Sequence, residues 1–184
     1  NMLGEKIAES PINFYINDPV TGDRLIRSQE TNMGDLVADG IYAYFNEIEQ
    51  LDCDIAIMNG GGIRADIPAG DWTYMSCKTV SPFGNVACLM SVTGAQIQNA
   101  LEFGARYAGP GQENGGFLHV SGLTYEIHTY IESSCTQDEN GLFTGVSGEY
   151  RVKNVKVNGE DLDLEKTYTL ASHNYMLKNA GDGF

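Results

Sequence analysis

A short apolar run, Asp54 to Met58, stops at once on Asn59-Gly60-Gly61-Gly62-Ile63-Arg64. The run is Ile-rich and short, so it reads as a buried strand entering a sharp loop. Gly60, Gly62 and Ala65 formally satisfy the degenerate GxGxxA pattern of dinucleotide-binding folds. Such a loop must open a helix whose N-terminus holds a pyrophosphate, and Pro68 with Gly70 deny that helix. The loop also lacks the Gly-Lys-Ser/Thr ending of a nucleoside-triphosphate cradle. What is left is a strand exit of free backbone geometry with Arg64 beside it. It can be a plain tight turn, or a place where a ligand approaches the backbone closely.

The flanking sequence predicts a mixed architecture. Residues 1–26 are broken by Pro11, Pro19 and Thr21-Gly22-Asp23 and read as a leading arm or linker. Met33, Leu36, Val37, Gly40, Ile41, Tyr44 and Phe45 recur at helical spacing, with Asn32 as the expected N-cap and Asp35 in the first turn. Val86 to Val92 reads as a strand. Thr93 and Gln96 form a capping-box pattern that opens a second helix, lined by Ile97, Ala100, Leu101 and Gly104 and stopped by Gly109-Pro110-Gly111. Strands are expected over 118–131, 150–157 and 168–172, with a hairpin at Asn158-Gly159 and a polar loop over 135–148. The sum is one α+β domain, a mixed sheet packed with helices.

With 11 basic against 25 acidic residues, the 184-residue chain carries a net charge of −14. A uniformly acidic surface repels phosphodiester backbones and anionic membranes, which excludes general nucleic-acid binding and membrane-surface docking. No apolar stretch reaches the ~20 residues that span a bilayer, so no membrane insertion is expected. Cys53, Cys77, Cys88 and Cys135 are too widely spaced for a CxxC site, and Cys88, inside an apolar run, reads as a buried thiol. Asn1 ahead of Met2 suggests a piece excised from a longer protein.

Chemistry-bearing residues are few. Arg64 and Arg27, two of five arginines, each read first as surface salt-bridge partners; together, at the mouths of two loops, they suggest a phosphate-sized anion. Phe83, on the Ser81-Pro82-Phe83-Gly84-Asn85 turn, either folds back on its own core or stacks on a flat ligand, with Asn85 beside it to read a base edge. Asp182, between glycines, either satisfies its own turn or accepts sugar hydroxyls. His119, His128 and His173 sit in strand-like stretches without HxxxH or DxH pairing, and no GxSxG elbow exists. No catalytic or metal-binding apparatus is visible in these residues.

Five segments in this order resemble one family: Thr31-Asn32-Met33-Gly34-Asp35-Leu36, Asn59-Gly60-Gly61-Gly62-Ile63-Arg64, Pro82-Phe83-Gly84-Asn85, Asn114-Gly115-Gly116-Phe117 and Gly181-Asp182-Gly183-Phe184. From about Arg27 to Phe184 the chain resembles the C-terminal domain of the 5′-nucleotidase family, which includes UDP-sugar hydrolases and 2′,3′-cyclic-nucleotide phosphodiesterases. The resemblance implies an α+β substrate-specificity domain over 27–184. It also implies a separate N-terminal metallophosphatase domain that supplies two divalent metal ions and the catalytic Asn, His and Asp residues. These 184 residues do not include that domain, so no metal, cofactor or catalytic residue is expected in them.

By the same resemblance Phe83 and Tyr175 sandwich a nucleobase and Asn85 reads its edge. Arg27 and Arg64 grip the phosphate, Asp182 and Gly115 hold the ribose, and Asn59 lines the same pocket. The interval from Asn174-Tyr175 to Gly181-Asp182 is one residue longer than the usual pattern, so a count back from Asp182 selects Met176. Tyr175 is the better aromatic platform. The implied parent is a nucleotide phosphohydrolase placed outside the cytoplasm, at the cell surface or in the periplasm, with its substrate bound between two hinged domains. The competing reading is a non-catalytic extracellular module for nucleoside or sugar binding or for adhesion. A third, an intact small phosphatase, is disfavoured by the scarcity of histidine.

Overall fold

A computed structural model describes residues 2–109 and 111–184, so Asn1 and the Pro110 part of the expected helix stop lie outside the described residues. The strands are β1 (Lys6–Ser10), β2 (Ile55–Asn59), β3 (Gly70–Thr73), β4 (Ala87–Thr93), β5 (Leu118–Ser121), β6 (Leu123–Ile127), β7 (Cys135–Gln137), β8 (Phe143–Val146), β9 (Val152–Val157), β10 (Glu160–Asp161) and β11 (Thr167–His173). The α-helices are α1 (Asn32–Ala43), α2 (Tyr74–Val80), α3 (Gly94–Gly104) and α4 (Asn174–Leu177).

The central sheet runs β4-β11-β2-β5, with β11 and β2 parallel and both outer strands antiparallel to their neighbours. β2 is buried at every position. Its alternate side chains serve different cores. Ile55 and Ile57 join Ile97 and Leu101 of α3, Val152 and Val155 of β9, and Leu170 of β11. Ala56 packs with Phe45 and Ala171, and Met58 with Met33 and Ile63. A strand covered on both faces has no polar face to show, which is why its sequence reads as an unbroken apolar run. The second sheet, β10-β9-β6, is antiparallel. It turns at Asn158-Gly159, whose φ values of +51° and +86° bear out the expected hairpin.

α1 is capped by Thr31, whose side chain accepts the Gly34 N–H at 3.1 Å; the expected cap, Asn32, is already the first helical residue. Asn32 instead accepts from the Tyr15 N–H and donates to the Asn13 carbonyl, tying the preceding segment to the helix start. α3 opens with the expected reciprocal Thr93–Gln96 capping box. α2 was not expected. Its signal is a second capping box, Thr73 with Ser76, lying just beyond the Pro68 and Gly70 breakers.

Two further expectations are corrected. The run over 118–131 is two strands belonging to different sheets, because Gly122 sits at φ +73° and its backbone abuts the Asp54 carbonyl. The polar stretch over 135–148 holds the β7-β8 hairpin, anchored by Phe143 against Phe103 at 5.2 Å. Within 2–26, β1 pairs with β3, and Ile16 and Ile26 are buried beside Met33 and Trp72. Cys88 is half-buried, whereas Cys53 is the buried thiol, and all four cysteines are free. Among the described residues no helix is long and apolar enough to cross a membrane.

Candidate functional site

The glycines after β2 exist for close packing. Gly60 and Gly61 donate backbone N–H bonds to the Phe117 and Gly115 carbonyls, each at 2.8 Å. A side chain on Gly60 would overlap the Ile26 carbonyl, and one on Gly61 would stand 3.1 Å from the Gly115 carbonyl oxygen. Three loops are thereby drawn together: the one carrying Arg27, the one after β2, and the one carrying Gly115. Asn114 fastens the last of these, donating to the Gly104 carbonyl at 2.8 Å and accepting from the Gly116 N–H at 3.0 Å.

Where these loops meet the ends of β4 and β11 lies a cavity of ≈ 450 Å³, lined by Arg27, Asn59, Gly61, Gly62, Phe83, Asn85, Gly115, His173, Tyr175 and Asp182. Seven of the eight residues expected at a site therefore share one cavity. Arg64 does not line it. Its guanidinium sits at the rim, 5.9 Å from the Phe83 ring centroid and donating to the Gly61 carbonyl at 3.3 Å. Phe83 and Tyr175 are 47% and 38% exposed, so neither ring is spent on the core. Met176 is 3% exposed and belongs to the main core, where the Ser172 hydroxyl approaches its sulfur at 3.8 Å. Between the two candidate positions, Tyr175 is the side chain that reaches the cavity.

Asn174 ties two walls of the cavity together. Its side-chain oxygen accepts the Val86 N–H at 2.7 Å, and its own N–H donates to the Val86 carbonyl at 2.9 Å. The Phe83-Asn85 loop is thus bonded directly to the helix that carries Tyr175.

At the floor, Asn59 donates to Asp182 at 2.6 Å and Tyr175 Oη donates to the other Asp182 oxygen at 3.1 Å. Asp182 is held in the left-handed region at φ +57°. At the other end, burial first, and then the Arg24 and Arg64 charges, push Arg27 below its ordinary value. Its Nε is buried without a partner, and its nearest carboxylate, Glu113, is 4.0 Å away. The Glu113 and Asp182 carboxylates pull the other way, and an arginine with two cationic neighbours and an unpartnered buried nitrogen is suited to an anion. Sequence reasoning missed His173 here. It lies on the slot wall with Nε2 3.1 Å from Asn59 Oδ1. The only available signal was its place two residues before Tyr175.

Among the described residues no group of three or more His, Cys, Asp or Glu side chains converges on a metal-sized site.

The sequence profile described as "5′-nucleotidase, C-terminal domain" matches residues 14–184. The chain belongs to the 5′-nucleotidase C-terminal domain family. The trifunctional nucleotide phosphoesterase protein YfkN of Bacillus subtilis is 36% identical over 166 residues, covering 86% of this chain and 10% of that protein. A 5′-nucleotidase of Vibrio parahaemolyticus is 30% identical over 187 residues, covering all of this chain and 27% of that one. The crystal structure of a 5′-nucleotidase precursor from Thermus thermophilus superimposes with a TM-score of 0.75 at 32% identity, over 99% of this chain and 32% of that one. The chain thus spans between a tenth and a third of the length of these relatives. As in other family members, α+β architecture with a mixed sheet is what the fold shows.

Proposed function

We propose that this 5′-nucleotidase C-terminal domain binds a nucleotide for hydrolysis by a metallophosphatase domain of the same chain. The observation that carries the reading is the shared ≈ 450 Å³ cavity, with two half-exposed rings and an under-neutralised arginine opening on it. A nucleobase would lie between Phe83 and Tyr175 with Asn85 at its edge. The ribose would rest on Asp182 and Gly115 beside Asn59, and the phosphate would meet Arg27 inside and Arg64 at the rim. The domain's contribution to catalysis is then placement: bound base, sugar and phosphate fix the phosphorus against a nucleophile supplied from outside these residues. The metal-dependent activation of that nucleophile belongs to the proposed N-terminal domain, with two divalent ions. Relatives named as nucleotide phosphoesterases and 5′-nucleotidases support a hydrolytic parent. By family likeness the parent acts outside the cytoplasm.

The test is a calorimetric titration of the 184-residue chain with AMP and adenosine, repeated with Phe83→Ala. Binding at millimolar ligand that weakens in the variant is expected. Identical absence of heat in both proteins would remove the slot assignment. Release of phosphate from AMP by the chain with added divalent metal would contradict the division of labour.

A further inference from the structure

His173 ends β11 and is buried at the slot wall, yet nothing in the nucleotide reading assigns it a task. Its bonding follows from the groups around it. The Asp182 carboxylate only accepts, so the Asn59 group 2.6 Å from it must be the amide nitrogen. Asn59 Oδ1 then faces His173 Nε2 at 3.1 Å, and an amide oxygen accepts only. His173 must therefore carry its proton on Nε2. Its Nδ1 is left without a partner in the described structure. Burial keeps the ring below its ordinary pKa against the pull of Asp182, which favours a neutral ring, and the neutral tautomer that meets Asn59 is the one protonated on Nε2.

Space has been cleared for the pair. A side chain on Gly62 would stand 2.8 Å from Asn59 Oδ1 and 3.6 Å from His173 Nε2. The third glycine of the run thus leaves room for this contact. The carboxylate at the end of the relay has about four acceptor positions. Asn59 uses one and the Tyr175 hydroxyl another, so two point elsewhere.

We propose that His173 is a positioning residue for sugar selection: by donating to Asn59 it fixes the amide orientation that aligns Asp182 for the vicinal hydroxyls of a ribonucleotide. Without that donor the amide can turn over, setting its oxygen against the carboxylate and rotating Asp182 away. The inference rests on the nucleotide reading above, in particular on Asp182 meeting the ribose.

Binding of AMP and of 2′,3′-dideoxy-AMP to the wild-type chain, His173→Gln and His173→Phe tests it. Wild type should favour AMP by at least about tenfold, the lower end for one hydrogen bond to a charged group. The glutamine amide can donate to the same oxygen and should keep that preference. Phenylalanine should abolish it, so that AMP and dideoxy-AMP bind this variant equally. A preference retained in His173→Phe, or lost equally in His173→Gln, overturns the relay and leaves the slot reading standing. Wild type binding both ligands equally also overturns it, whereas wild type binding neither strikes the nucleotide reading itself. Nitrogen-15 imidazole spectra of wild type supply a measurement independent of variant folding. An Nε2–H tautomer whose signal moves on AMP addition is expected, and an Nδ1–H tautomer overturns the proposal.

Discussion

The Asn59 amide donates to the Asp182 carboxylate across 123 residues of sequence, joining the last residue of β2 to the turn near Phe184. That bond places the site at the carboxyl ends of two adjacent parallel strands, since β11 delivers His173 and Tyr175 beside β2. Sheet geometry thus gathers residues that are remote in the chain, and loop packing at the glycines brings Arg27 and Gly115 to them.

Tyr175→Ala and Met176→Ala should have opposite effects although they are neighbours. Tyr175 is partly exposed on the slot, so its truncation should weaken AMP binding by about 1–3 kcal/mol, the range of one stacking contact, with little change in melting temperature. Met176 is a core side chain, and truncating it should cost about 2–5 kcal/mol of stability. The folded fraction of Met176→Ala should still bind AMP. Calorimetric titration and thermal melts of both variants check the contrast.

Asn174→Ala removes the side-chain acceptor for the Val86 N–H while leaving both rings in place. The slot then keeps its chemistry and loses the tie between its walls. We expect AMP affinity to fall about tenfold, on the scale of one hydrogen bond lost at a site that must be preorganised. Amide exchange over 82–87 should quicken in the free protein. Unchanged exchange there would show that the loop is held by something other than Asn174.

Half-buried Asp35 and buried His119 give the fold opposing pH dependences. Burial, with Glu30 and Asp39 nearby, raises Asp35 from 3.8 to about 6, so ionising it disfavours the fold, and stability falls as pH rises through that interval. Burial lowers His119 from 6.5 to about 4 despite its bond to the Ile26 carbonyl; protonation is disfavoured in the fold, and stability falls as pH drops from 6.5 to 4. His173 is lowered as well and acts in the same sense as His119. Asp35→Asn should therefore match wild type near pH 4 and exceed it at pH 7 by about 1–2 kcal/mol, after allowing for solvent screening and the favourable end of α1. Urea unfolding at successive pH values measures the difference directly.

Local signals survive in the sequence where one segment decides its own structure. The Thr93–Gln96 capping box and the Asn158-Gly159 turn are of this kind, because the residues that make the bonds are also the residues that make the turn. The Pro/Gly turn under Phe83 left its ring open between core and surface, and the structure leaves it 47% exposed. Less legible were features set by distant partners. Thr31 takes the cap from Asn32 because Asn32 is engaged by residues 13–15. The break at Gly122 reflects the Asp54 carbonyl across the sheet. His173 was marked only by its place two residues before Tyr175, because the Asn59 side chain it meets lies 114 residues away. The rim position of Arg64 was equally illegible, since the bond from its backbone N–H to the Val80 carbonyl, far along the chain, sets where its loop runs.

Gly60→Ala and Gly115→Ala separate packing from binding within one glycine-rich floor. A methyl group on Gly60 would run into the Ile26 carbonyl, a backbone atom that cannot swing aside as a side chain would. The same carbonyl is bonded to His119 Nε2 at 2.9 Å, so displacing it breaks a buried hydrogen bond and shifts Arg27 next door. Overpacking of this kind should cost about 1–3 kcal/mol, with the lost bond adding about 1 kcal/mol. A methyl group on Gly115 meets nothing nearer than Asp182 Oδ1 at 3.5 Å, an ordinary contact. Gly115→Ala should therefore melt within about 0.5 kcal/mol of wild type. Its methyl projects beside the carboxylate proposed to hold the ribose, so AMP affinity should drop. Paired melts and titrations would reveal the error if Gly115→Ala unfolded easily or bound AMP normally.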